Sequence, residues 1–518
     1  MSSEIEFKFE IPGDRIQAVK EKLEALDASQ VELRAHYFDT PDALLASKGV
    51  VLRVRQEGPR WFQTVKVKTD GPLERAEDNI ALGLLAEEPA PDITQYKNTP
   101  IGDLLGDLKD TQARLIPMFS TEITRRRCVI EHGRSQIEIA LDVGQINLPD
   151  RLGVDPQSSP VRELEMELVE GRVSDLAVLA KEWLARHHLS VSTTSKDARG
   201  RRLLAGNPTD VAVKAAPVFR SKPKTLLRGD EIQRLVVSGC LNQILPNATE
   251  VAAGNFDRDV VHQLRVGIRR LRTALRELDD LHPGRLDSRW EAPLKQAFDA
   301  LGKRRDWELL ATKTQPGLEK HGSPEVDLGE RPAGVALDTA VREPELQTAL
   351  VELLAFCSSD TSDDEDEVGA HASDANNETQ EPPVTAKAAR KILAKRLNSL
   401  HKKMVKGGES FESLAAEEQH RVRKQLKRLR YLAEFVGPVF DSKAAVRYLE
   451  HLTPAQDALG EFNDKHVALA TYKQRTAHDP KAWFAVGWLS ATEAGEAKAC
   501  RKSLLKIADA KKFWAAKS

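Results

Sequence analysis

Two hydrophobic rhythms divide this chain. Up to about residue 200, apolar and polar positions alternate in short runs bounded by turn residues, as in Glu4-Ile-Glu-Phe-Lys8, Val50-Val-Leu-Arg-Val-Arg55 and Gln136-Ile-Glu-Ile139. A period of two predicts half-buried β-strands. From about residue 226 the apolar positions recur at helical spacing. Between the two, residues 206–225 carry Pro208, Pro217 and Pro223 among small and basic residues, which is linker chemistry. The pattern predicts a two-domain α+β protein, with a strand-rich domain over 1–205 and an all-α domain over 226–515. Inside the helical half, residues 358–386 hold nine acids, no Lys or Arg, and Pro382-Pro383. So polar a stretch cannot bury enough apolar surface to order itself. It reads as a disordered, solvated insert, or else as a segment that competes in cis with an anionic ligand for a basic groove.

Charge changes the picture only locally. Lys+Arg number 77 and Asp+Glu 79, a net charge of −2, so no global excess announces nucleic acid or a membrane. Taking the nine insert acids out of that balance leaves +7 on the rest. Cys128, Cys240, Cys357 and Cys500 lie far apart and form no CxxC pair, which suggests neither a zinc site nor a disulfide framework. The first ten residues lack the basic segment and apolar core of a secretion signal. The most apolar patch, Trp483 to Leu489, is far shorter than the roughly 20 residues that span a bilayer. The expectation is a soluble cytoplasmic protein with a local polyanion site and no membrane partner; nothing indicates its oligomeric state.

The helical half repeats itself. His262-x-x-Arg265-x-x-x-Arg269-Arg270-Leu271-Arg272 matches His420-x-x-Arg423-x-x-x-Lys427-Arg428-Leu429-Arg430 at a separation of 158 residues. Asp299-Ala-Leu-Gly302-x-x-x-Asp306 matches Asp457-Ala-Leu-Gly460-x-x-x-Asp464 at the same separation. Two blocks in one register predict duplicated helical bundles. At about 100° per residue, His262, Arg265, Arg269 and Arg272 share one helical stripe, as do His420, Arg423, Lys427 and Arg430. No Asp or Glu falls between His262 and Arg276 or between His420 and Leu432. Like charges one turn apart repel unless an anion neutralises them, so the stripes are candidate polyanion contacts. Few aromatics interleave them, which argues against single-stranded nucleic acid. The paired blocks resemble the CHAD domain, the conserved histidine alpha-helical domain. That resemblance implies a basic surface that binds inorganic polyphosphate, with association with polyphosphate granules.

The strands sort their charges by face. Glu4, Glu6 and Lys8 share one, as do Arg53 with Arg55, Lys66 with Lys68, Arg75 with Glu77, Arg125 with Arg127, Glu138 with Asp142, and Glu163 with Glu165 and Glu167. If the apolar faces pack outward against flanking helices, the charges line a closed antiparallel barrel. Acids and bases in one lumen suit a polyphosphate and its divalent metal, Mg²⁺ or Mn²⁺. The alternative is cross-strand salt bridging on a solvent face.

Glu4-x-Glu6-x-Lys8 together with Tyr37-Phe38-Asp39-Thr40, Leu52-Arg-Val-Arg55, Lys66/Lys68, Glu138–Asp142, Glu163–Glu167 and Ser195-Lys196 resembles, in order, the CYTH superfamily of triphosphate tunnel metalloenzymes. The resemblance implies an eight-stranded tunnel and, with the CHAD-like half, a layout similar to bacterial inorganic triphosphatases. It assigns Glu4, Glu6, Asp142, Glu163 and Glu165 to metal ions. Arg53, Arg55, Lys66, Lys68, Arg75, Arg125, Arg127 and Lys196 become the phosphate clamp. Lys8 is either a further clamp residue or, paired with Tyr37, a general base. Thiamine triphosphate hydrolysis and ATP cyclisation in the same tunnel stay open, with Trp61 as a possible base platform, as does a non-enzymatic polyphosphate scaffold.

Overall fold

A computed structural model describes residues 3–68, 74–96, 115–149, 157–206, 211–219, 223, 225–329, 336–358 and 384–515. The acidic stretch 359–383, parts of the 206–225 linker and the side chains of Glu4, Lys68, Arg75 and Asp306 lie outside the described residues. The chain forms two compact units. One comprises Met1–Val213, Ile244–Val260 and Val341–Ala375; the other comprises Lys214–Gln243, Val261–Ala340 and Asn376–Ser518.

The first unit is built on β1 (Ser3–Glu10), α1 (Ile16–Glu24), β2 (Ser29–Asp39), α2 (Leu44–Ser47), β3 (Val50–Glu57), β4 (Arg60–Lys68), β5 (Glu74–Leu84), β6 (Ile116–His132), β7 (Ser135–Asn147), β8 (Ser158–Glu170), α3 (Val173–His187), β9 (Ser190–Val191) and α4 (Lys196–Leu204). The strands run β5-β4-β3-β2-β6-β7-β8-β1, and β1 also pairs with β5, so eight antiparallel strands close into a ring. The two-residue β9 adds a ninth strand, with Phe9 opposite Val191.

Directly opposed residues of an antiparallel pair share a face. Lys8 lies opposite Glu165, Glu163 opposite Asp142, Asp142 opposite Arg125 and Lys66 opposite Glu77, so charge meets charge around one side of the ring. The other side pairs Phe7 with Met166 and Phe9 with Leu164, all of them buried. It takes the apolar face of α3, which packs on β6, β7 and β8 and buries Leu176, Ala180, Trp183 and Leu184. A second outer cluster joins Val50, Leu52, Val54, Trp61 and Val65 to Phe38, Leu45, Ile93 and Tyr96. The charged side is therefore the lumen, as period-two alternation predicts. Part of the inner face is apolar: Leu33, Ala35, Tyr37, Phe119 and Ile123 pack with Leu203 and Leu204 of α4. Gly200 permits this approach, because a Cβ there would overlap the Phe119 ring.

The second unit is helical. It includes the first part of α5 (Gly229–Ala252), and the first copies of the repeated blocks lie on α6 (Arg258–Glu277) and α7 (Glu291–Leu309). The short α8 (Gln315–Glu319) and α9 (Leu337–Arg342) follow, with α10 (Pro344–Ser358) in the first unit, then α11 (Ala386–Glu409), α12 (Ala416–Phe440), α13 (Ser442–Arg475) and α14 (Ala482–Leu505). Helices α11 to α14 pack as a bundle, α11 on α12, α12 on α13, α13 on α14 and α14 back on α11. Among the described residues no helix is long and apolar enough to cross a membrane.

Candidate functional site

Four strands, β1, β6, β7 and β8, meet α4 at an acidic cluster in the lumen. Asp142 on β7 and Glu163 and Glu165 on β8 each offer a carboxylate oxygen within 4.8 Å of the others. Four cations hold them. Lys196 Nζ stands 2.7 Å from Asp142, 2.6 Å from Glu163 and 3.2 Å from Glu165. Arg125 donates from Nε to Asp142 at 2.6 Å and from Nη2 to Glu165 at 2.6 Å. Lys8 Nζ is 2.8 Å from Glu165 and 3.7 Å from both Glu163 and Glu6. Arg199 Nη2 reaches Glu10 at 2.5 Å and Glu163 at 3.1 Å. Lys196 comes from the first turn of α4, whose start is fixed by Ser195 Oγ accepting from the Ala198 N–H at 3.1 Å.

Burial by itself would raise the pKa of these carboxyl groups, but the adjacent cations outweigh it. Lys196 above all, with Arg125 for Asp142 and Lys8 for Glu163 and Glu165, holds all three below the usual carboxylate range. Burial likewise works against the Lys8 and Lys196 ammonium groups, and the carboxylates carry both above the ordinary lysine value. The cluster is thus fully ionised at neutral pH.

A more basic stretch of wall lies on β3, β4 and β5. Arg53 Nη2 donates to Thr64 Oγ1 at 3.2 Å and lies 3.8 Å from Glu77; Lys66 also pairs with Glu77, and Arg55 with Glu57. Burial and the neighbouring Arg53 charge push Lys66 down to about 8 and Arg55 to about 10. Glu77, although buried, is drawn below its ordinary value by Lys66 and Arg53. Cations crowded beyond what nearby acids neutralise are held ready for an anion.

Other expected residues stand apart from the cluster. Tyr37 stacks on Phe119 with centroids 4.6 Å apart. Arg127 is half exposed, 3.7 Å from Glu138. Asp39 of the Tyr37–Thr40 segment is buried in a structural role, accepting from the Leu45 and Ala46 N–H groups and from Arg201. Trp61 belongs to the outer cluster and donates to the Leu85 carbonyl at 3.1 Å, so it is no base platform in the lumen. Glu10, Glu77 and Arg199 are lumen groups that the sequence reading did not assign to the site. Glu10 continues the parity of Glu4, Glu6 and Lys8, which could have marked it; Arg199 lies one helical turn beyond Lys196, where strand parity no longer applies.

The donor set fits a hard divalent cation. Three carboxylates converge, and Glu6 Oε1 is buried without a hydrogen-bond partner. Oxygen donors of this kind suit Mg²⁺ or Mn²⁺.

In the second unit, the α6 stripe lies on an aromatic ring: the guanidinium carbons of Arg265, Arg269 and Arg272 stand 4.6, 5.1 and 5.8 Å from the Phe298 centroid. Gly302 makes room, since a Cβ there would collide with Arg265 Nη1. Residue 456, which the repeat aligns with Phe298, is Gln, and Arg430 bonds to it. His420 Nδ1 lies 3.2 Å from Asn463 Oδ1. The expectation that these helices lack balancing acids needs correction, because acids arrive from other elements. Arg272 pairs with Glu291 at 2.7 Å, Arg270 with Glu434 at 2.6 Å, and Arg428 and Arg396 with the buried Glu277. The contacts of Arg270, Arg428 and Arg396 cross between the repeats and tie the copies together.

Comparison with known proteins finds two domain families in succession along the chain. The CYTH domain family matches residues 2–200 and the CHAD domain family residues 235–473. An inorganic triphosphatase of Haemophilus influenzae is 30% identical over 209 residues, a stretch that spans 39% of this chain and 54% of that protein. An uncharacterized protein of Mycobacterium tuberculosis is 25% identical over 520 residues, 97% of this chain and 94% of its own length. The crystal structure of the CHAD domain from the plant Ricinus communis is similar at 24% identity and a TM-score of 0.41, covering 57% of this chain and 96% of that one. The chain carries a CYTH domain over residues 2–200, followed by a CHAD domain over residues 235–473.

Proposed function

We propose that the tunnel hydrolyses inorganic triphosphate with a divalent metal and that the α6 and α12 stripes bind polyphosphate, with 1–205 and 226–515 as the two working domains. The observation that carries the first half is the convergence of Asp142, Glu163 and Glu165 beside Lys8, Lys196 and Arg125 in a closed charged lumen. Without ligand, each set of charges satisfies the other. A metal triphosphate brings both partners at once: its phosphates take over the cations and its metal takes over the carboxylates. Asp142, Glu163 and Glu165, with Glu4 and Glu6, would hold Mg²⁺ or Mn²⁺, which neutralises phosphate charge and lowers the pKa of a bound water.

Arg53, Arg55, Lys66, Arg125 and Lys196 would grip phosphate oxygens and stabilise charge developing at the transferred phosphoryl group, with Lys68, Arg75 and Arg127 extending the clamp. The carboxylates that hold Lys8 above its ordinary pKa keep it an ammonium ion. An ammonium ion at this position suits a phosphate clamp better than a general base, which must first lose its proton. Glu6 Oε1, lacking a donor, is suited to accept one from the attacking water.

Trp61 faces outward, and the inner-face rings of Tyr37 and Phe119 stack on each other and pack with Leu203 and Leu204, an arrangement that favours inorganic triphosphate over ATP or thiamine triphosphate. The test is phosphate release by the full chain from tripolyphosphate, ATP, thiamine triphosphate and long polyphosphate, with Mg²⁺, Mn²⁺ or EDTA. Metal-dependent release, fastest from tripolyphosphate, is expected. No release from any substrate with either metal would overturn the hydrolase and leave a binding scaffold.

A further inference from the structure

Lys196 and Arg199 enter the lumen on α4, a short helix that begins just after β9. Two segments from the helical half of the sequence, both within the first compact unit, hold this region. Arg202, on α4, forms an ion pair with Glu250 of α5 at 2.7 Å. Glu250 is 5% exposed and also accepts from Asn255 Nδ2 at 3.0 Å. The approach to α4 is fixed in the same way. Gln347 of α10 accepts from the Val191 N–H at 2.7 Å and donates to the Val341 carbonyl at 2.7 Å. Arg342 reaches Ser190 Oγ at 3.3 Å and the Ala252 carbonyl at 2.9 Å, and Thr249 Oγ1 accepts from the Thr193 N–H at 3.2 Å. On its other side the strap meets the tunnel strand directly, with the Ser192 N–H donating to the Lys8 carbonyl at 2.9 Å.

These contacts do something a generic packing face would not. The buried Glu250 carboxylate of α5 holds Arg202 on the second turn of α4, and the buried Gln347 amide of α10 holds the β9 backbone, so the chain segment that delivers Lys196 is fixed on both sides. The Lys196 ammonium stands 2.6–3.2 Å from three carboxylates, and a shift of about 1 Å in such a site changes rates severely. We propose that Glu250 and Gln347 are positioning residues of the tunnel, contributed by the helical half of the sequence, which set Lys196 and Arg199 on Glu163. Both act on the cluster from outside it, Glu250 through Arg202 and the Arg199 charge and Gln347 through the β9 backbone. This inference rests on the tunnel being the triphosphatase site.

The experiment compares full-length wild type, Glu250→Gln, Gln347→Leu and Lys196→Ala, each alone, together with Lys196→Ala combined with either positioning variant. KM and kcat for tripolyphosphate are read with Mg²⁺. Each positioning variant is expected to raise KM at least fivefold with a smaller change in kcat, because a displaced Lys196 loses phosphate binding first. In the Lys196→Ala background the same substitutions should add less than twofold, since the group they position is gone. A loss of folded protein alone would lower apparent kcat and leave KM unmoved. KM within twofold of wild type in both single variants, or effects that multiply undiminished with Lys196→Ala, would overturn the proposal. If Glu250→Gln fails to fold because it leaves Arg202 buried and unpaired, the double variant Arg202→Gln/Glu250→Gln carries the same test. An inactive wild type refutes the hydrolase reading itself, whereas an active wild type with unaffected variants refutes only the positioning roles.

Discussion

Lys196 in the tunnel and Arg265 on α6 are both cations largely shielded from water, yet their surroundings neutralise them differently. Lys196 meets three ionised carboxylates at 2.6–3.2 Å. Arg265 lies over the Phe298 ring at 4.6 Å, with Gly302 cleared to admit it. A cation caged by buried acids is part of a network in which removing one member strands the others at high cost. A guanidinium over a ring gains only about 0.5–2 kcal/mol from that contact. The tunnel should therefore respond to single substitutions as a unit, and the helical stripes gradually.

The largest effect expected is in the tunnel. Glu165→Gln removes a carboxylate that answers Lys8, Lys196 and Arg125 at once, and tripolyphosphate turnover should fall by about 100-fold or more, in line with the loss of a central electrostatic group. Phosphate release within about threefold of wild type would break the contrast. EDTA should abolish turnover in the wild type and added Mg²⁺ restore it.

Next comes the whole basic surface. Replacing Arg265, Arg269, Arg272, Arg423, Lys427 and Arg430 with Ala should eliminate binding of labelled polyphosphate and flatten its salt dependence, while tripolyphosphate turnover persists. His262 and His420 head the same stripes, and their replacement should weaken binding less. Unchanged affinity in the six-site variant would return the stripes to solvated helix faces.

A pH profile sharpens the tunnel side. Burial and Arg53 bring Lys66 down to about 8, below its unfolded value, so it sheds its proton earlier in the folded protein. Its charge costs stability below about pH 8, and that cost is relieved as the pH rises from there toward the unfolded value. Function runs the other way: kcat/KM for tripolyphosphate should fall above pH 8 as the clamp loses charge, by up to tenfold per pH unit. Lys66→Arg, which stays protonated, should remove that limb.

The smallest effect separates the two repeats. Phe298→Leu should weaken polyphosphate binding about threefold by releasing three guanidinium groups from their ring, on the order of the cation–π energies above. Gln456→Leu, at the aligned position of the other repeat, should change it less. Equal effects would mean that the ring does not organise the first stripe.

The sequence by itself determined which side of each strand is charged and which positions recur at 158 residues. Both are properties of local period, readable wherever a strand or helix forms. Glu163 and Glu165 were legible as lumen residues because alternation permits only two faces. The register of β7 on β8 set Asp142 directly opposite Glu163, a pairing that the alternation of either strand alone does not give. Tertiary structure also brought Glu77 to Lys66, Arg199 to Glu10, and Glu277, Glu291 and Glu434 to arginines that the sequence leaves without local acids. It set Trp61 outside the lumen as well. Ion pairing acts over a few ångströms of space regardless of chain separation, so the partners of a buried charge are known only once the chain has folded.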